Sequence, residues 1–70
     1  MAIVSNLKRL MQQKGMTYEV VQGFAQVSPE TIARAGDERI VTCTLGVLER
    51  IAVTLDVSVK ELFDDTRYSS

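Results

Sequence analysis

The sequence contains no histidine and a single cysteine, Cys43. One cysteine excludes an internal disulfide, and without histidine a zinc site has at most one good soft ligand. The same absence removes the commonest general base and every Ser-His or Cys-His pair. Because the carboxylates fall in no recognisable catalytic motif, we expect no enzyme, no cofactor, no metal site and no small-molecule substrate.

Long apolar runs are also lacking. No run approaches the roughly 20 residues that span a bilayer, and Lys8 and Arg9 interrupt the stretch in which a signal peptide would be apolar. We therefore expect a cytoplasmic protein with no membrane partner. The 70 residues allow one small domain, whose core needs well-packed helices or oligomerisation. We predict a domain at 1–64 and a flexible polar tail at 65–70.

The formal net charge of −1 by itself argues against strong nucleic-acid binding. The charge is distributed unevenly, however. Residues 1–35 carry four basic and two acidic side chains, whereas residues 36–70 carry four basic and seven acidic ones. A mildly basic first half suits a module with one face toward a polyanion, although ordinary solvated charges would give the same distribution.

The first half of the chain predicts two helices. Apolar residues recur at helical spacing at Ile3, Val4, Leu7, Leu10 and Met11. This helix can end at Gly15 in the left-handed conformation. Thr17 can cap a second helix, whose apolar residues are Val20, Val21, Phe24 and Ala25.

A third helix begins at the pair Ser28-Pro29. The serine hydroxyl can accept from unpaired backbone amides, and proline suits the first helical position. Gly36 closes this helix. Residues 37–43 show no clear helical period and predict a loop or short extended piece, with Ile40 and Val41 packing inward.

Two further helices are predicted in the last third of the chain. Thr44 can cap a fourth helix, which carries one apolar stripe made of Leu45, Leu48, Ile51, Ala52 and Leu55. Ser58 and Glu61 form a capping box before Leu62 and Phe63, which predicts a short fifth helix. The predicted fold is therefore all-α, a compact domain of five helices.

The second and third helices, 18–25 and 29–35, are separated only by Gln26, Val27 and Ser28. So tight a connection forces a steep crossing, as in a helix-turn-helix. In that geometry the first helix of the pair lies across the DNA backbone, and the second can enter the major groove.

From Leu7 to Phe63 the sequence resembles the lambda-repressor and Cro-type (XRE) helix-turn-helix family. The segments that carry the resemblance are LKRLMQQKGMT, VSPETIAR and LERIAVTLDVSVKELF. It implies a compact five-helix domain and a sequence-specific transcriptional regulator of the repressor type. The implied partner is double-stranded operator DNA, bound by a homodimer with helix 29–35 in the major groove.

The resemblance also implies which side chains touch DNA. Positions beside the phosphate backbone are occupied by Tyr18, Ser28, Thr31 and Arg39. Positions that reach base edges are occupied by Pro29, Glu30 and Arg34.

Four residues depart from the family pattern. Gln22 stands where a small residue is usual, so it must extend outward or push the two helices apart. Gln26 replaces the glycine of the turn, where a left-handed backbone would cost a non-glycine residue about 1–2 kcal/mol. Pro29 donates no hydrogen bond, and Glu30 can only accept one, for instance from cytosine N4. The net charge of −1, Pro29, Glu30 and an apolar strip of Val20 and Phe24 favour an alternative, a protein-interaction module (antirepressor, antitoxin-like or adaptor) with weak or no DNA binding.

Two apolar surfaces are expected on this fold. Val20 and Phe24 stand at positions that face solvent in the family, where they would form an apolar strip for a protein contact. A rotated helix that accommodates Gln22 would bury them instead. The homodimer surface is expected between Leu45 and Phe63, where Val57, Val59 and Phe63 offer apolar area.

Overall fold

Apolar residues at helical spacing build four α-helices in the computed structural model, which describes residues 3–67. These are α1 (Leu7–Lys14), α2 (Tyr18–Ala25), α3 (Pro29–Ala35) and α4 (Leu45–Leu55). The predicted second, third and fourth helices are thereby confirmed. The first helix begins four residues later than the pattern that starts at Ile3 suggests.

Local hydrogen bonds fix the ends of these helices as the sequence predicts. The hydroxyls of Thr17, Ser28 and Thr44 accept from the backbone amide three residues on, at the starts of α2, α3 and α4. Gly15 closes α1 in the left-handed conformation, with φ of 67°. Gly36 closes α3.

The assignment of Ile3 and Val4 to the first helix is wrong. Strand β1 (Ile3–Ser5) pairs antiparallel with strand β2 (Phe63–Asp65), so that Ile3 lies opposite Asp65. Two adjacent β-branched residues favour an extended backbone, and their pairing partner lies at the other end of the sequence. The fold is therefore compact and mainly helical, as predicted, with a small two-stranded sheet that the all-α prediction did not include.

Residues 37–43 contain a 3₁₀ helix at Glu38–Thr42 rather than a loop or extended piece. The Asp37 carboxylate accepts from the Arg39 amide and starts this helix. Ile40 is buried as predicted, but the inward packing of Val41 is wrong, since Val41 is 50% exposed. Consecutive residues of a 3₁₀ helix point about a third of a turn apart, so both cannot face the core.

The predicted fifth helix is a second 3₁₀ helix, Val59–Leu62, and no fifth α-helix is present in residues 3–67. The Ser58–Glu61 capping box that starts it is confirmed. It ends after Leu62 because Phe63 turns into β2 and pairs with Ser5. The five-helix count is therefore not met.

One apolar core joins all these elements, and α2 packs chiefly against α4. Its largest fully buried side chains are Leu7, Val21, Ile51, Leu55 and Leu62. Val20 and Phe24 lie outside it, 40% and 76% exposed, so the alternative of a rotated α2 that buries them is wrong.

The two ends of the described chain meet at the sheet. Asp65, the first residue of the predicted tail, pairs with Ile3, and the Arg67 guanidinium donates to the Asp65 carboxylate at 2.9 Å. Residues 68–70 of that tail, and residues 1–2 of the predicted domain, lie outside the described residues. The domain boundary at 64 therefore stays a prediction.

Candidate nucleic-acid interface

Helices α2 and α3 form a crossed pair joined by the predicted three-residue turn. Gln26 closes α2 with φ of 58° and ψ of 49°, the left-handed backbone that its place in the turn predicts. The Val27 amide then donates to the Gln22 carbonyl at 3.3 Å. This hydrogen bond closes the turn after α2, so that α3 begins only three residues later, at Pro29.

Buried apolar side chains hold the pair together. Val21 of α2 and Ile32 of α3 are 0% and 3% exposed, and Ala25 and Ala35 are buried with them. Gln22, which follows Val21 in α2, is partly exposed. Because its neighbours remain buried, the glutamine does not open the contact between the two helices.

The outward face of α3 is formed by Pro29, Glu30 and Ala33, all of which are exposed. Sequence reasoning places the first two on this face but misses Ala33. Residue 33 lies four positions after Pro29 and three after Glu30, and helical spacing therefore puts it on the same side. Its methyl group is small enough for close approach and suits contact with a thymine methyl.

Two hydroxyls meet at the start of α3. Ser28 Oγ accepts from the Thr31 amide at 3.2 Å and lies 2.8 Å from Thr31 Oγ1. Ser28 is exposed and Thr31 partly buried. Pro29 has no N–H and the Thr31 amide already donates to Ser28 Oγ, so this helix start offers a phosphate mainly the two hydroxyls.

Arg34 lies one turn beyond Glu30 and is partly buried. Its Nε atom is shielded from solvent and has no hydrogen-bond partner. No described ion pair or hydrogen bond uses its guanidinium. Its positive charge acts to lower the pKa of the Cys43 thiol, against the larger effect of burial, which raises it. The stem of Arg34 is thus covered by protein, and its donors have no acceptor in the described residues.

Tyr18, at the first position of α2, reaches the far end of α3. Its hydroxyl lies so close to Gly36 that a methyl group added there would overlap it. Gly36 has an ordinary backbone, with φ of −89°, so a larger residue here would require only that the Tyr18 hydroxyl, the far end of a side chain, move aside. Sequence reasoning gives Gly36 only as the end of a helix and misses the contact.

Arg39 follows α3 in the first 3₁₀ helix, where it is paired with Asp37. Arg39 Nη2 lies 2.8 Å from Asp37 Oδ2, and Arg39 Nε donates to the same carboxylate at 3.1 Å. These hydrogen bonds lower the pKa of Asp37, with a smaller contribution from the charge of Lys8. The Arg39 charge is therefore neutralised locally and would have to leave Asp37 to bind a phosphate.

Acidic side chains from α3 and from the first 3₁₀ helix act on Arg39. Hydrogen bonding to Asp37 raises the pKa of Arg39, and the charges of Glu38 and Glu30 act in the same direction. Glu30 and Glu38 are themselves exposed. The face therefore carries both signs of charge and attracts phosphate only weakly.

The structure gathers five of the seven predicted DNA-contacting residues at α3. They are Ser28, Pro29, Glu30, Thr31 and Arg34. Tyr18 lies at the opposite end of that helix, beside Gly36, and Arg39 lies just beyond it.

Within residues 3–67, no three histidine, cysteine, aspartate or glutamate side chains come together to hold a metal ion. None of the helices described is long and apolar enough to cross a membrane.

Comparison with known proteins adds one match. A family model described as a Cro/C1-type HTH DNA-binding domain matches residues 6–67, which is most of the chain and includes all of α2 and α3. No curated protein and no solved structure gives a significant match.

Proposed function

Since the chain belongs to the Cro/C1-type helix-turn-helix DNA-binding domains, we propose that it is a sequence-specific transcriptional regulator of the repressor type. It acts as a homodimer on operator DNA in the cytoplasm. Each subunit places α3 in the major groove, with half-sites about one helical turn, roughly 34 Å, apart. The proposal includes no catalytic step.

The observation that carries the proposal is the outward face of α3. Its inner side is fixed by Ile32 and Ala35, which are buried, while Pro29, Glu30 and Ala33 point away from the body. A short, rigidly held helix with an uncovered face is what insertion into a groove requires.

Each candidate residue has a role in this proposal. Arg34 reads a base through its two terminal nitrogens, which no described hydrogen bond or ion pair occupies, while its Nε stays buried. Glu30 accepts from a cytosine amino group, and Ala33 contacts a thymine methyl. The backbone phosphates are bound by Ser28, Thr31 and Tyr18, and by Arg39 once it leaves Asp37.

The mixed charge of the face sets the expected strength of binding. Few lysines or arginines lie beside α3, and Arg39 is already paired. We therefore expect one or two neutralised phosphates per subunit. The logarithm of affinity should then fall with the logarithm of salt concentration with a slope of about −2 to −4 for a dimer.

The first test uses an operator selected from a pool of randomised duplexes. Arg34→Ala should weaken binding to that operator by about 1–3 kcal/mol and relax the preference at one base position, because one bidentate contact is lost. The measurement is fluorescence anisotropy at fixed salt with operator and scrambled duplex.

Lys60→Ala is the control, since it removes one exposed positive charge from the second 3₁₀ helix, away from α3. An equal loss in both variants would show that only net charge matters. Unchanged operator affinity in Arg34→Ala would refute the reading role of that residue.

A salt titration separates the proposed regulator from the protein-interaction module. Binding driven by phosphates weakens steeply as salt rises, whereas an apolar protein contact is nearly insensitive to it. Failure to select any duplex from the pool at low salt would contradict the proposed function.

A further inference from the structure

Asp37 binds both the backbone and the side chain of Arg39. The Arg39 amide donates to Asp37 Oδ1 at 2.8 Å. The guanidinium donates through Nε to both carboxylate oxygens at 3.1 Å, and through Nη2 to Oδ2 at 2.8 Å. A DNA phosphate offers a guanidinium the same kind of charged oxygen pair. Asp37 therefore occupies the donors that a phosphate would use.

The carboxylate is held in place independently of the guanidinium. Asp37 starts the first 3₁₀ helix through its bond to the Arg39 amide, and Ile40 of that helix is buried in the core. A competitor attached two residues away has a constant, high local concentration, whereas DNA has to be supplied from solution. Asp37 is therefore always available to take Arg39 back from a phosphate.

The pair is open to solvent and lies within reach of α3. The side chains of Arg39 and Asp37 are 54% and 32% exposed, and Glu30 of α3 is near enough for its charge to raise the pKa of Arg39. On the other side, the charge of Lys8 in α1 lowers the pKa of Asp37. A positive charge thus stays near the carboxylate when Arg39 leaves it, which makes the exchange of Asp37 for a phosphate feasible.

We propose that Asp37 limits the affinity of this domain for DNA, because it competes with the phosphate backbone for Arg39. In the free protein Arg39 is bound to Asp37, and in the complex it is bound to a phosphate. Every complex that uses Arg39 is therefore weakened by the strength of the ion pair. The inference rests on the proposed function and adds to it a residue that sets the strength of binding.

The first test replaces Asp37 by asparagine and measures binding to the selected operator by fluorescence anisotropy at fixed salt. The asparagine oxygen can still accept from the Arg39 amide, so the start of the 3₁₀ helix is kept while the negative charge is removed. Asp37→Asn should raise the affinity about two- to fivefold per subunit, as expected for the loss of an exposed ion pair. An unchanged or lowered affinity would overturn the proposal.

Two controls are needed because removal of any acidic charge favours DNA to some extent. Glu38→Gln removes the same charge from the next residue, which makes no described hydrogen bond to Arg39. Asp65→Asn breaks a second pair of the same form, in which Asp65 accepts from the Arg67 amide at 3.0 Å and from its Nη2 at 2.9 Å. Each control should raise the affinity less than Asp37→Asn does. An equal rise in either would show that net charge alone matters.

A double-mutant cycle separates competition for Arg39 from the removal of charge. Asp37→Asn should lose most of its effect in the Arg39→Gln background, since no guanidinium is left to release. Arg39→Gln should in turn lower the operator affinity more in Asp37→Asn than in wild type. Equal effects of Asp37→Asn in both backgrounds would contradict the proposal.

The exchange of partners also has a spectroscopic signature. The Arg39 Nε proton should exchange slowly with water in the free protein, where Asp37 accepts from it, and faster in Asp37→Asn. Addition of operator to the wild type should shift its NMR signal, whereas the corresponding signal of Arg67 should stay in place. An Arg39 signal that is unchanged at saturation with operator would show that the ion pair persists in the complex, against the proposal.

Binding to a scrambled duplex at low salt distinguishes failure of this inference from failure of the proposed function. The scrambled duplex offers phosphates without the operator sequence. If no operator can be selected but Asp37→Asn still strengthens binding to this duplex in an Arg39-dependent way, only the proposed function is refuted. If an operator is bound with an affinity that does not respond to Asp37→Asn, only the role of Asp37 is refuted.

Discussion

At the scale of single residues, Gln26 has a backbone conformation that its side chain disfavours. In residues 3–67 only Gln26 and Asp56 have positive φ without being glycine, at 58° and 57°. Aspartate is several-fold enriched in this region, whereas glutamine is not. The turn between α2 and α3 therefore holds Gln26 in a conformation that its side chain disfavours.

Gln26→Gly should raise the free energy of unfolding by about 0.5–1 kcal/mol. Relief of the left-handed backbone exceeds the extra entropy that glycine loses on folding. Thermal denaturation should show a rise in Tm of several degrees for a domain of this size. Gln26→Ala is the control, because alanine meets the same backbone penalty, and an equal gain there would assign the effect to the glutamine side chain.

Hydrogen bonds and contacts between residues close in sequence were predictable from the sequence. Contacts between residues far apart in sequence were not. The caps at Thr17, Ser28 and Thr44 follow from local hydrogen bonding, which a sequence displays directly. The contact of Tyr18 with Gly36 joins residues from different helices, and no local pattern indicates it.

At the scale of elements, Ser5 connects the sheet to α3. Its hydroxyl donates to the Ala35 carbonyl at the end of α3 and accepts from the Leu7 amide at 3.2 Å. The second bond caps α1 by pairing its first backbone amide, since the Asn6 side chain makes no capping bond. One partly buried hydroxyl thus holds three elements together.

Ser5→Ala should lower the free energy of unfolding by about 1–3 kcal/mol, because it leaves a helix carbonyl and a helix amide without partners. Amide hydrogen exchange at the end of α3 should also become faster. Thr44→Ala is the control, since it removes one cap from α4 and touches no residue of α3. Equal exchange at the end of α3 in both variants would contradict this role for Ser5.

The elements themselves were predictable to different degrees. Helices α2, α3 and α4 have caps and an apolar face, and both are visible in the sequence. Strands β1 and β2 have three residues each, too few for an alternating pattern, and they are stabilised by a partner at the other end of the chain. The candidate site follows from the helices, so its location was predictable, whereas the orientation of Arg34 and the pairing of Arg39 were not.

At the scale of the whole molecule, two similar exposed ion pairs contribute to the response to acid. Asp37 and Asp65 each accept from an arginine two residues later, and these hydrogen bonds lower the pKa of both carboxyl groups. A lowered pKa in the folded state adds stability above the unfolded value near 3.9. That contribution is lost as the pH falls through the folded value.

The Tm should therefore be flat between about pH 5.5 and 7, where no side chain of this histidine-free sequence ordinarily titrates. Below about pH 4 it should fall as Asp37 and Asp65 bind protons. Thermal scans across this range make the measurement. The double variant Arg39→Gln, Arg67→Gln should show a shallower fall, and an identical fall would mean that other carboxylates are responsible.

The pairing of Ile3 with Asp65 has a consequence for synthesis on the ribosome. Ribosomes release a chain from its amino end at about 5–20 residues per second, so β1 emerges before β2 and stays unpaired until the residues between them have been translated. The contacts of α2 with α3 and α4 need no residue of β2, so they can form before the sheet closes.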